Sequence, residues 1–267
     1  MQAGRRGRIA GGLVLALGYL FLFIPILSVV FYSFNASRLV TVWGGFSTKW
    51  YGELVQDDRV LDALKLSVGI AVTASTGAIV IGTLAAYGLT RFGKFRGRSL
   101  LSGLVTAPLV LPEVTTGLSM LLLLVLMEKL TGWPQGRGAA TIAIAHITFA
   151  VAYATVVIQA RIAALDPSLE EAAADLGARP VATFFSVVLP LIAPSLAAAW
   201  LLSFSLSLDD FIITAFVTGP GATTLPLLIY SSVKLGVNPE INALGTLIIA
   251  TASVVALTAT VLRRKAD

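Results

Sequence analysis

Three carboxylates lie inside stretches that are otherwise apolar. Glu113 sits in "APLVLPEVTTG" (107–117), and the adjacent Asp209 and Asp210 sit in "SFSLSLDDFIITAF" (203–216). An ionised acid near the centre of a membrane helix costs roughly 2.5–3.5 kcal/mol on insertion scales. A partner cation, a water-filled path or protonation has to offset that cost. One chemistry that fits is attraction of a cationic solute. A flexible chain of ammonium groups suits separated carboxylates and aromatic faces, and Trp200, Phe204 and Phe211 are nearby in sequence. The other chemistry is ion pairing or capping within a helix bundle. On a continuous helix Asp209 and Asp210 would stand about 100° apart, so they would not face one partner equally. Glu113 follows Pro112, and Pro108 and Pro112 both leave backbone carbonyls without a helical donor. Irregular backbone at membrane depth has to be buried or line a cavity. Residues 107–117 therefore read as a path-lining or hinge segment, or equally as a simple kink.

Catalysis finds little support. His146 is the only histidine and there is no cysteine. One histidine without other ligands does not build a metal site, so hydrogen bonding between helices is its expected role. The lack of cysteine removes a thiol nucleophile and a disulfide framework. No G-x-x-x-x-G-K-[ST] phosphate loop and no H-E-x-x-H occurs. The chain is read as non-catalytic, with no metal and no cofactor of its own.

These residues need apolar elements to hold them. Of the 267 residues, 57% are hydrophobic and only 12% charged, against about 25% charged in soluble domains. The apolar runs are long enough for a bilayer, which takes about 20 residues per helix. They predict an all-α integral membrane protein, one transmembrane domain over 1–267. Its six spans are placed at about 9–34, 66–90, 99–127, 139–163, 187–217 and 242–262. The first span is read as a retained anchor rather than a cleaved signal. A short helix on the outer surface is expected around 47–64. Trp43, Trp50 and Tyr51 suit a membrane interface, and "NAS" at 35–37 is a weak match to a glycosylation acceptor.

Six spans place both termini on one side. If that side is the cytoplasm, 12 of the 19 basic residues fall inside. They are Arg5, Arg6, Arg8, Arg91, Lys94, Arg96, Arg98, Arg161, Arg179, Arg263, Arg264 and Lys265. The loop "RFGKFRGR" (91–98) carries four bases and no acid. The positive-inside rule favours this orientation. It also accounts for the net charge of +5 without nucleic acid, for which no basic, aromatic-interleaved soluble domain is present.

The stretch 164–194 interrupts the apolar pattern. "LDPSLEEAAADLGARP" (165–180) predicts a short helix over about 167–177. Asp166 can cap it, Pro167 suits the first helical position, and Glu170 and Glu171 lie near the positive end of the helix dipole. Gly177 can take the left-handed conformation that ends a helix. Leu169, Ala172, Ala173 and Leu176 form one apolar stripe, while Glu171 and Asp175 face elsewhere. By helix physics alone this is a cytoplasmic loop helix or a docking element for a groove.

The spacing is more specific. "EAAADLGARPVATFFSVVLP" (171–190) resembles the EAA signature of permease subunits of binding-protein-dependent ABC importers: E-A-A, three residues, G, nine residues, I, one residue, L-P. Glu171, Ala172, Ala173, Gly177, Leu189 and Pro190 match, and Val187 stands in the isoleucine slot. Residues 107–117 and 203–246 resemble the spermidine/putrescine-type permeases, where they look like the second of two permease subunits.

The resemblance implies the type I importer fold, with 167–177 as a cytoplasmic coupling helix. Glu170, Glu171, Ala172, Ala173, Gly177 and Pro190 become the ATPase-coupling residues, with Glu171 and Gly177 at the contact. Glu113, Asp209, Asp210, Trp200 and Phe211 become substrate-path candidates. Implied partners are a second permease subunit in a heterodimer, two ATPase subunits that bind ATP and Mg, an extracytoplasmic solute-binding protein, and membrane lipid. The implied location is the bacterial cytoplasmic (inner) membrane, with both termini cytoplasmic. Polyamine import is the expected function. The same importer class acting on an opine, an amino-acid-like solute, another organic cation or an anion is the alternative. A gradient-driven secondary transporter is more distant and leaves the EAA spacing unexplained. The segment 217–228 is an outer turn or a re-entrant segment, open to contact with the solute-binding protein.

Overall fold

The computed structural model describes residues 2–39, 42–236 and 238–266, with side chains for 11–39, 42–236 and 238–254. The terminal bases used to orient the chain (Arg5, Arg6, Arg8, Arg263, Arg264, Lys265) lie outside the described side chains. The described elements are helical: α1 Gln2–Ser33, α2 Lys49–Gln56, α3 Asp58–Arg91, α4 Arg98–Val110, α5 Glu113–Thr131, α6 Ala139–Ala163, α7 Ser168–Asp175, α8 Pro180–Thr183, α9 Leu189–Leu208, α10 Ile212–Val217, α11 Leu225–Leu235 and α12 Pro239–Ala266. A π turn, Phe184–Val188, runs α8 into α9.

Five of these stretches are long and apolar enough to cross a membrane: Gly11–Ser33, Asp58–Arg91, Glu113–Thr131, Ala139–Ala163 and Pro180–Leu208. They coincide with five of the six expected spans, and the sixth falls in α12. Two expected boundaries are corrected. The run 99–127 is not one helix. It is α4 and α5, separated by Leu111 and Pro112 in extended conformation. Pro112 cannot donate to the ladder and disfavours the α-region at Leu111. The run 187–217 starts earlier, at Pro180, and ends at Leu208. Asp209 to Phe211 break it, and α10 restarts at Ile212.

The chain forms two compact units, one of residues up to Leu61 and from Ile229 onward, the other of Asp62–Leu228. In the first unit α1 and α2 pack on α12. Asn35 is fully buried and its amide is wholly used: Oδ1 accepts from the N–H groups of Ser37 (3.1 Å) and Gly44 (2.8 Å), and Nδ2 donates to the carbonyls of Val42 (2.9 Å) and Leu39 (3.3 Å). It is a loop organiser, not a glycosylation acceptor. Trp50, expected at the membrane interface, is instead a core residue, and its indole N–H donates to the Asn35 carbonyl (2.6 Å). The amphipathic α2 turns it inward because an unpaired indole N–H and a large apolar ring are both satisfied there. Trp43 stays exposed and stacks on Phe31.

The second unit is built on small residues. Ala78 and Ala86 of α3, Ala150, Ala154, Ile158 and Ile162 of α6, and Val188, Ile192 and Ala199 of the 180–208 helix form one buried cluster. A Cβ on Gly82 would stand 3.0 Å from Ala154 Cβ. Such small side chains let helix backbones approach closely where lipid supplies no hydrophobic drive between helices. A second cluster joins Ile70, Met120, Leu124, Ile142, Phe149, Ile213 and Val217, which seats α10 against α5 and α6.

Candidate functional site: the coupling element and the buried acids

The interrupting stretch folds as a short, exposed, doubly capped helix. Asp166 Oδ1 accepts the Ser168 N–H at 2.9 Å, and that hydrogen bond holds the Asp166 carboxyl below its ordinary range. At the other end Gly177 has φ +83°. The Gly177 N–H bonds the Ala174 carbonyl (2.8 Å) and the Ala178 N–H bonds that of Ala173 (3.0 Å). This is the Schellman arrangement that satisfies the last carbonyls. The helix is eight residues, Ser168–Asp175, about 12 Å long, slightly shorter than the expected 167–177. No residue in it is buried. Leu176 is 90% exposed and Leu169 44%. Of the expected apolar stripe, Leu169, Ala172 and Leu176 are exposed and Ala173 is half-buried, and Glu171 is exposed too.

The two neighbouring glutamates separate. Glu171 is open, whereas Glu170 is held inward. Arg91 Nε donates to Glu170 Oε1 at 2.6 Å and the Tyr87 hydroxyl donates to Oε2 at 2.9 Å. Arg91 Nη2 also reaches the Leu165 carbonyl at 3.2 Å. Both partners of the ion pair are mostly covered, with 15% and 20% of their side chains exposed. Sequence pattern does not single out Tyr87, and it marks Arg91 only as a base of the 91–98 loop, because nothing local links it to a residue 79 positions away.

Pro190 is exposed on the first turn of α9, just past the π turn. The Leu189 N–H bonds the Phe184 carbonyl, five residues back. The wider turn makes room for a proline ring that would otherwise press on the carbonyl four residues before it. Phe184, on the same turn, packs edge-on against Tyr87 with ring centroids 5.2 Å apart.

At the α9 break the two aspartates also separate. Asp210 faces a buried polar network. His146 Nδ1 is 2.7 Å from Ser207 Oγ, and its Nε2 is 3.1 Å from Asp210 Oδ2 and 3.0 Å from Thr214 Oγ1. The Thr214 hydroxyl (2.9 Å) and N–H (2.8 Å) donate to Asp210 Oδ2, and the Ile213 N–H donates to Oδ1 (3.2 Å). Asp210 thus caps α10. An ionised carboxylate only accepts, so Nε2 carries a proton towards it. The expected 100° separation on one helix is replaced by this break: Asp209 ends α9 and is exposed, while Asp210 is turned inward.

The other candidates stay outside that network. Glu113 is exposed in the first turn of α5. One turn on, a Cβ at Gly117 would stand 2.7 Å from Phe216 Cδ2 and 3.3 Å from Ile213 Cα, so α5 meets α10 closely. Trp200 is half-buried, stacks on Phe204 with centroids 5.3 Å apart, and donates its indole N–H to Thr76 Oγ1 of α3 at 3.2 Å. Phe211 is half-buried beside the break. Of the segment 217–228, Val217 ends α10, 218–224 form a turn with Gly221 at φ +77°, and 225–228 already belong to α11. Among the described residues no three histidines or acids converge as a metal site.

Comparison with known proteins places this arrangement. The family of binding-protein-dependent transport system inner membrane components matches residues 78–265. The chain is 54% identical over 254 residues to the putrescine transport system permease protein PotI of Escherichia coli K12, covering 95% of this chain and 90% of that protein. It is 38% identical to the spermidine/putrescine transport system permease protein PotC of the same strain, covering 97% and 95%. Among solved structures it is similar in fold to a chain of a bacterial ABC transporter involved in import of the acidic polysaccharide alginate, with TM-score 0.73 at 18% identity over 99% of this chain and 98% of that one. It also resembles a chain of the MetNI methionine ABC transporter, with TM-score 0.61 at 16% identity over 80% and 95%. The chain belongs to the family of binding-protein-dependent transport system inner membrane components.

Proposed function

We propose that the chain is the membrane-spanning permease subunit of an ATP-driven, binding-protein-dependent importer that carries polyamines, putrescine and spermidine, into the cytoplasm. The observation that carries the reading is α7. It is a rigidly capped helix with the EAA spacing, anchored on one side and bare on the other. A short helix with an exposed apolar stripe is suited to a groove on a partner. The kinship with permeases named for putrescine and spermidine supplies the solute class. Exposed carboxylates at Asp209 and Glu113 are chemistry for a chain of ammonium groups.

In this reading α7 docks on an ATPase subunit through Glu171, Ala172, Ala173 and Gly177. ATP and Mg are bound and ATP is hydrolysed on that partner, not here. A second, related permease completes the pore, and a solute-binding protein delivers polyamine from outside. Both termini and the 91–98 loop lie in the cytoplasm of a bacterial cell. Closure of the ATPases moves α7, and the 180–208 helix that follows it swings the pore between inward and outward access.

The test is uptake of radiolabelled putrescine and spermidine into proteoliposomes. They hold this chain with its co-purifying subunits, with the solute-binding protein outside. Saturable, ATP-dependent uptake is expected. Binding-protein-stimulated ATP hydrolysis without polyamine uptake would move the assignment to another small solute.

A further inference from the structure

Glu170 and Glu171 are neighbours with opposite surroundings, and the difference concerns α3 rather than the ATPase. Both oxygens of the Glu170 carboxylate are taken by residues of one helix end: Oε1 by Arg91 and Oε2 by Tyr87. Tyr87 and Arg91 are spaced i and i+4, so they share one face of α3. Arg91 adds a third bond to the Leu165 carbonyl, ahead of α7. Tyr87 is in turn wedged between Phe92 and Phe184, with centroids 5.9 and 5.2 Å away. The N-terminal turn of α7 is therefore gripped through its only half-covered acid, while Glu171, Ala172, Ala174 and Asp175 stay exposed.

The same α3 is hooked again further along. Ser67 is buried, and its hydroxyl accepts the Leu225 N–H at 2.7 Å. Leu225 opens α11 straight after the 218–224 turn. From Ser67 to Tyr87 is 20 residues of continuous helix, about 30 Å, which matches the hydrocarbon thickness of a bilayer. Between the hooks α3 lies against α6 through Gly77, where a Cβ would stand 2.9 Å from Ile147 Cδ1, and through Gly82. A helix held this closely moves as a rod rather than bending locally.

We infer that Glu170 is a positioning residue whose clamp on Arg91 and Tyr87 makes α3 the strut that carries α7 motion across the membrane to the turn at 218–225. This rests on the permease reading. Glu171 and the bare face of α7 bind the partner, and Glu170 turns that binding into movement of this chain. Loss of the clamp leaves the partner bound and hydrolysing ATP while transport slips.

The experiment compares Glu170→Gln, Arg91→Gln and the double variant in the intact complex in proteoliposomes. The readout is polyamine taken up per ATP hydrolysed. Each single variant is expected to keep its ATPase subunits and lose roughly tenfold in that ratio. The double variant should lose no more than either single one, because contacting residues of one unit are non-additive. Additive losses, an unchanged ratio, or release of the ATPase by Glu170→Gln would each overturn the clamp. A second readout needs no transported solute. The chain has no cysteine, so spin labels at Leu84→Cys, exposed on α3 and outside the clamp, and Ala174→Cys report the α3–α7 distance. The distribution should be narrow with Glu170 and broad in Glu170→Gln, and equal widths would overturn the clamp. If the unsubstituted complex takes up no polyamine, the solute assignment fails and this distance still decides the clamp.

Discussion

His146 Nε2 stands 3.1 Å from Asp210 Oδ2, with both side chains sealed at 3% and 6% exposure. The single histidine of the chain thereby pins the break between α9 and α10 to α6. Ser207 on one side and Thr214 on the other complete the satisfaction of the ring and the carboxylate. A buried polar network of this kind is stable only when every member is paired.

Removal of one partner should therefore be severe. His146→Ala leaves the buried Asp210 carboxylate with only its Thr214 and Ile213 donors, and loss of a hydrogen bond to a charged group typically costs about 1.5–3 kcal/mol. Thermal unfolding of the purified complex should show a clear loss, and His146→Gln, which can still donate to Asp210, should lose less. Equal stability of His146→Ala and the unsubstituted chain would remove the pin.

The two aspartates should part in their behaviour. Asp209→Asn is expected to lower polyamine uptake roughly tenfold, about 1.4 kcal/mol, with assembly intact, because its side chain is open. Asp210→Asn should lower uptake together with the yield of folded complex, because Asp210 caps α10 and pairs with His146. Unchanged uptake in Asp209→Asn would take that residue off the path.

Glu171→Lys should weaken ATPase docking and leave the spans folded, since Glu171 is exposed in the first turn of α7. A lysine there also opposes the positive end of the helix dipole. Co-purification of the ATPase is the measurement, and full retention would count against docking through this face.

A pH signature is expected in the first unit. Burial, and next the neighbouring Asp57 carboxylate, hold the Glu240 carboxyl above its ordinary value of 4.5. Asp57 is held below its ordinary 3.8, chiefly by the Arg59 hydrogen bond. A raised carboxyl favours the folded state while protonated. Its contribution is complete below 4.5 and is lost as pH rises through the raised value. The Asp57 contribution runs the other way, present above 3.8 and lost as pH falls through its lowered value. Glu240→Gln should remove the decline in thermal midpoint on the alkaline side of 4.5. A midpoint profile identical to that of the unsubstituted chain would exclude this group.

Gly117 should not tolerate a side chain. Its missing Cβ leaves room for Phe216 and for the α10 backbone at Ile213. Gly117→Ala is expected to cost about 1–3 kcal/mol as overpacking, read by thermal unfolding. A neutral result would mean that α10 can move away.

Much of this was readable from local pattern. The apolar runs located the spans because a helix in lipid must satisfy its own backbone and present apolar side chains over about 20 residues. The ends of α7 were readable because Asp166 and Gly177 act on groups within four residues of themselves. Where local rules compete, the sequence is less decisive. Pro108 and Pro112 mark an irregularity, but the apolar run 99–127 continues across the break between α4 and α5. The Trp50 ring suits an interface, yet the Asn35 carbonyl 15 residues away accepts its indole N–H.

The helical membrane character, the basic loop at 91–98 and the EAA helix with its caps are legible without any tertiary contact. Each depends on hydropathy, charge or spacing over a few consecutive turns. Which of two adjacent acids is left open depends on helix packing. Glu170 and Glu171 differ by one position, as do Asp209 and Asp210. In each pair the buried member is chosen by a residue far along the chain, Arg91 in one case and His146 in the other. A carboxylate is stable away from water only where donors converge on it, and that convergence is set by helix packing rather than by neighbours in sequence.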